Sequence, residues 1–89
     1  MGYPRMSYNI VIERKALKFI NKQPPEQKRR LLSAIYKLPE DGDITRLNAK
    51  DALYRLRVGE YRVIYTIDNG NLIVYVIDAG NRGQIYKRY

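Results

Sequence analysis

The chain has 89 residues, enough for one domain with a modest core and too few for a second module. Hydrophobic residues make up 45% of it, which excludes a disordered chain, and a net charge of +8 points to polyanionic partners: nucleic acid, ribosome, anionic membrane or an acidic protein. Cys and His are both absent, which removes disulfides, thiolate chemistry and the commonest general base and metal ligand.

Taken in chain order, Ser7 to Ile12 reads as a short strand with Tyr8, Ile10 and Ile12 on one side. Glu13 to Lys22 carries Ala16, Leu17 and Ile20 at helical spacing, and Pro24 and Pro25 end that helix. Pro25 suits the first turn of the next one. Glu26 to Leu38 places Leu31, Leu32, Ile35 and Leu38 along one stripe, with Lys28, Arg29 and Lys37 among its polar positions. Pro39 stops it, and Glu40 to Lys50 reads as a polar, turn-rich connection anchored by Ile44 and Leu47.

From Leu53 the period changes to two. Leu53 to Val58, Tyr61 to Asp68 and Asn71 to Asp78 read as strands, joined by two-residue turns at Gly59-Glu60 and Asn69-Gly70. The order β-α-α-β-β-β predicts an α+β domain spanning residues 1–89, with a helical hairpin packed on one face of a mostly antiparallel four-stranded sheet. If Val58 opposes Tyr61, Arg57 opposes Arg62 and Arg55 opposes Ile64. If Asp68 opposes Asn71, Arg62 opposes Ile77 and Ile64 opposes Tyr75. Alternation puts Arg55, Arg57 and Arg62 on one face, and Tyr54, Leu56, Val58, Val63, Tyr65, Val74 and Val76 on the helix-covered one.

Like charges directly opposite in a sheet are unfavourable unless an anion offsets them. Arg82 follows the last strand through Gly80 and can bend back, and Tyr86 lies four residues on. Four guanidiniums with one phenol suit a phosphodiester: bidentate donors for phosphate, and a ring to stack on a base. Charge and spacing alone nevertheless favour a solvated sheet face, with Arg62 paired to Glu60 or Asp78 and a terminal Tyr packed on the fold. Lys28, Arg29 and Arg30 are likewise read first as a solvated helix face and second as candidate ribosome contacts. The acidic residues are scattered, and no metal-ligand set emerges.

The run Leu53-Tyr54-Arg55-Leu56-Arg57-Val58-Gly59-Glu60-Tyr61-Arg62-Val63-Ile64-Tyr65 resembles the central signature of the RelE/ParE toxin superfamily. The tail Gly80-Asn81-Arg82-Gly83-Gln84-Ile85-Tyr86 resembles its closing segment. The resemblance implies a RelE-type toxin of a type II toxin–antitoxin pair. It would be a metal-independent, cofactor-free endoribonuclease that enters the ribosomal A site and cleaves mRNA by 2′-hydroxyl attack, inhibiting translation. It implies Arg62, Arg82 and Tyr86 as catalytic residues and Arg55 and Arg57 as substrate-binding residues. It implies an acidic, RelB-like antitoxin as partner, contact with operator DNA only through that complex, and a cytoplasmic location. The missing export signal and the absence of any apolar run near ~20 residues agree with no membrane role.

One departure bears on mechanism. RelE-type toxins carry lysines at the positions matched by Arg55 and Arg57. Arginine is neutral in only about one molecule per 10⁵ at pH 7, whereas a free tyrosine is ionised in about one per 10³. Neighbouring cations favour the phenolate further, so Tyr86 is the better base candidate. ParE-like relatives, which poison DNA gyrase, and a non-catalytic RNA-binding module are the competing readings.

Overall fold

A computed structural model describes residues 8–48 and 52–85. The elements run β1 (Asn9–Ile12), α1 (Arg14–Asn21), α2 (Pro25–Ile35), β2 (Asp43–Asn48), β3 (Leu53–Val58), β4 (Tyr61–Asp68), β5 (Ile73–Asn81) and α3 (Arg82–Ile85). The sheet order is β1-β5-β4-β3-β2, with β1 parallel to β5 and all other pairs antiparallel. The α+β class and the helical hairpin on one face match the sequence reading. Ser7 and Lys50, at the ends of two predicted segments, lie outside the described residues.

The sheet has five strands rather than four, because Asp43–Asn48 pairs along β3. The polar stretch hid this strand, since an edge strand needs only one face to bury. Ile44 sits opposite Leu56 and Arg46 opposite Tyr54, with the guanidinium 5.7 Å from the ring centroid. A bulge between Arg46 and Asn48 breaks the alternation further.

The Asn69-Gly70 turn also differs. The ladder closes at Asp68 opposite Ile73, leaving residues 69–72 as a four-residue loop with Leu72 at φ 55°. The Asp68 carboxylate makes this loop by accepting from Asn71 N at 3.1 Å and Asn71 Nδ2 at 2.8 Å. Those donors hold the Asp68 carboxyl below its usual pKa, led by the Asn71 side chain. The shift by two preserves the faces, so Val74 and Val76 still point to the core. Beyond it, Ile77 bulges, and the residues after it change sides: Ile64 opposes Asp78 and Arg62 opposes Gly80, not Tyr75 and Ile77.

The core lies between the helices and the sheet. Ala16, Ile20, Leu31 and Ile35 pack on Leu56, Val58, Val63, Tyr65, Val74 and Val76, with Tyr8, Ile10, Ile12 and Tyr54 at its rim. Two polar contacts fasten the helical hairpin near the β3–β4 turn. Tyr61 Oη donates to Gln23 Oε1 at 3.1 Å, and Gln23 Nε2 donates to the Phe19 carbonyl at 3.0 Å. The Phe19 and Tyr61 rings meet edge-on at 5.9 Å. Ile64 and Ile85 are also fully buried but stand outside this cluster. Ile64 faces away from α1 and α2, and α3 is the element that packs on β4 and β5 there, forming a second, smaller apolar layer.

The β3–β4 turn has the predicted form: Val58 pairs with Tyr61, and Gly59 takes φ +59°. A Cβ here would meet Arg30 Nη1, Nη2 and Cζ at 3.0, 3.1 and 3.2 Å. The Arg30 guanidinium therefore lies broadside on the turn. Gly59→Ala would both place an L-residue in the left-handed region and displace Arg30. It is expected to lower unfolding stability by about 1–2 kcal/mol, read from urea midpoints.

Burial, with the Tyr54 phenol stacked 5.4 Å away, pushes the Tyr65 phenol from 10.0 up to about 12. A raised folded value favours the neutral phenol, so its stabilisation is complete below pH 10 and is lost as pH climbs towards 12. Urea unfolding should show stability declining there by up to about 1.4 kcal/mol per pH unit from this group. Tyr65→Phe should remove that part of the decline.

Candidate nucleic-acid site

Strand alternation and the Gly59 turn build the arginine face. Arg57 lies directly opposite Arg62, and Arg55 two residues back lies opposite Ile64. Residues paired this way have Cα atoms about 4.5–5.5 Å apart, and Arg55 follows Arg57 at about 7 Å along the strand. Sequence register thus gathers three of the expected residues on one side of the sheet. Arg82, the first residue of α3, joins them at the turn end, where its N–H donates to the Glu60 carbonyl at 2.9 Å. Tyr86 lies outside the described residues.

The four guanidiniums differ in what they are free to touch. Arg62 is only 5% exposed, and its Nη1 donates to the carbonyls of Gly59 at 2.8 Å and Tyr61 at 2.9 Å. It fastens the turn as well as charging the face. Arg55 is half-buried and donates through Nη2 to Thr45 Oγ1 at 2.9 Å. Arg57 and Arg82 are more open. Each has a distant carboxylate, Asp43 at 4.0 Å and Glu60 at 3.9 Å, in solvent-exposed pairs that salt and a competing anion displace readily.

Sequence reasoning missed the residues that offset this charge. The bulge at Ile77 turns Asp78 onto the arginine side, where it is 1% exposed. Its Oδ1 accepts from Ala79 N at 2.9 Å and its Oδ2 lies 3.3 Å from Lys15 Nζ. Asp43 and Thr45 were missed with β2 itself, although the β-branched pair Ile44-Thr45 was a faint signal. Arg30, grouped with Lys28 and Arg29 as a helix face, instead crosses to the β3–β4 turn. Arg29 pairs with Glu26 at 3.6 Å within α2. Among the described residues no group of three acidic side chains gathers as a metal site, and no helix is long and apolar enough to cross a membrane.

Known proteins share this arrangement. The family model for the ParE toxin of type II toxin–antitoxin systems matches residues 11–86. A relative from Methanocaldococcus jannaschii that carries the name of a RelE1 toxin is 30% identical over 88 residues, covering 92% of this chain and 98% of its own. The crystal structure of the archaeal RelE–RelB complex from Pyrococcus horikoshii superposes with a TM-score of 0.72 at 29% identity, covering 89% of this chain and 99% of that one. The isolated Escherichia coli RelE toxin shares the fold, with a TM-score of 0.65 at 22% identity over 92% of this chain and 94% of its own. The chain therefore belongs to the ParE toxin family of type II toxin–antitoxin systems, within the RelE/ParE superfamily, as a RelE-like toxin.

Proposed function

We propose that this toxin is a metal-independent endoribonuclease that cleaves mRNA in the ribosomal A site and so inhibits translation. The observation that carries the reading is the arginine face itself, with Arg57 opposite Arg62 and Arg82 at the same turn. Such a cluster is unfavourable in the free protein and is relieved by a phosphodiester. Arg55 and Arg57 bind flanking phosphates. Arg82, the exposed member at the turn, meets the charge that develops on the scissile phosphate, and buried Arg62 supports it from beneath.

The reaction needs no external reagent. A ribose 2′-oxygen forms a bond to the adjacent phosphorus, and the bond from phosphorus to the 5′-oxygen breaks. The products are a 2′,3′-cyclic phosphate and a 5′-hydroxyl. The proton leaving the 2′-hydroxyl passes to the Tyr86 phenolate, and the departing 5′-oxygen takes up a proton. Arginine can do neither part of this transfer at neutral pH, whereas a phenol among cations can accept and return a proton. A RelB-like, acidic antitoxin is the partner that neutralises the +8 charge, as the RelE–RelB complex from Pyrococcus horikoshii suggests by likeness. Operator DNA is met through that pair. Lys28, Arg29 and Arg30 are candidate contacts to ribosomal RNA, and the site of action places the protein in the cytoplasm.

The matching family model carries the ParE name, which favours gyrase poisoning as the second reading. Toeprinting of mRNA on stalled ribosomes separates the two. The nuclease gives codon-dependent cuts in the A site within the time of translation arrest. A gyrase poison gives DNA damage and leaves the mRNA whole. Tyr86→Phe is expected to slow single-turnover cleavage on programmed ribosomes by at least ~10², and an unchanged rate would remove Tyr86 as the base.

A further inference from the structure

We infer that the toxin has a second anion site, on the helix side of the β3–β4 turn, that takes a backbone phosphate of the same RNA strand. The inference rests on reading the arginine face as an RNA site and extends that site around the end of the sheet. A cleft of about 320 Å³ opens between α2 and the ends of β2 and β3. Arg30, Lys37 and Arg57 line it together with Ser33, and no Asp or Glu does so. Three cations and a hydroxyl around one small volume match the needs of a phosphate: charge, several donors and no competing carboxylate in the wall.

The cleft is shaped by backbone as much as by charge. Gly42 and Gly59 both border it and both have positive φ, +134° and +59°. A Cβ on Gly42 would meet Leu56 Cδ1 at 2.7 Å. A Cβ on Gly59 would drive into the Arg30 guanidinium. The two glycines therefore let α2 and the strand ends approach closely, and Gly59 holds Arg30 in a fixed attitude before any ligand arrives. A guanidinium seated this way loses less freedom on binding than one waving in solvent.

The same facts favour RNA over an acidic protein segment. Arg57 belongs to both surfaces: it lines the cleft and stands opposite Arg62 on the arginine face. The two sites are thus continuous at the Gly59-Glu60 turn, as successive phosphates of one strand require. Arg57's own carboxylate neighbour, Asp43, is 4.0 Å away and exposed, so it yields to a phosphate at little cost.

The test uses the full chain and a six-residue oligouridylate whose 2′-O-methyl groups prevent cleavage. Fluorescence anisotropy measures binding across a range of NaCl concentrations. Arg30→Gln/Lys37→Gln should lower the slope of log K against log salt by about 1.4, at ~0.7 per lost phosphate contact. If that variant fails to fold by circular dichroism, Ser33→Glu, at an exposed helix position, replaces it and should weaken binding at low salt several-fold. Arg55→Gln/Arg82→Gln probes the arginine face in parallel. A reduced slope in the face variant with no change in the cleft variant overturns the cleft and leaves the RNA reading standing. The reverse pattern keeps the cleft and removes the face. Unchanged RNA binding with weakened binding of a polyglutamate peptide assigns the cleft to an acidic protein and also overturns the proposal.

Discussion

The structure depends on one left-handed residue. Gly59 at φ +59° closes the β3–β4 hairpin in two residues, and that closure sets Val58 against Tyr61 and hence Arg57 against Arg62. The turn then recruits what surrounds it. Arg62 donates to the Gly59 carbonyl, Arg82 N donates to the Glu60 carbonyl, and the Arg30 guanidinium lies across the Gly59 Cα. Four basic side chains from three parts of the chain meet at one tight turn. A longer turn or a slipped register would scatter them over both faces.

Collecting positive charge this way works against folding, and the fold answers with carboxylates of two kinds. Asp78 is buried, held by Ala79 N and reached by Lys15 from α1, so its charge is fixed within the structure. Asp43 and Glu60 are exposed and at the limit of ion-pair range from Arg57 and Arg82. The first kind supports the cluster permanently. The second leaves the arginines available to an incoming anion. That division, together with a chain that contains no His, channels the chemistry towards charge stabilisation by guanidiniums and proton transfer by a phenol.

Much of this was legible in the residues. The bounds of β3 and β4, their register and the core set from Tyr54 to Val76 follow from period-two alternation and from Gly59-Glu60. Three features were not. The strand Asp43–Asn48 has one buried face, a bulge and an arginine stem in place of an apolar residue, so it carries almost no alternation. The Asn69-Gly70 signal was outweighed by the Asp68 carboxylate, whose bonds to Asn71 build a longer loop. The bulge at Ile77, which decides the side that Asp78 faces, is a packing event with no local marker. At the site, register found Arg55, Arg57 and Arg62 together. It said nothing of Arg30, which reaches the turn only because α2 crosses beside it.

The central claim is that Arg55, Arg57 and Arg82 act as parts of one anion site. Titrating the protein with a non-cleavable uridine dinucleotide while following the arginine Nε–Hε resonances by ¹H–¹⁵N NMR tests it most directly. A single site predicts that the three resonances move together, with one common midpoint that rises with salt. Separate midpoints, or resonances that stay still while the ligand binds elsewhere, would contradict it.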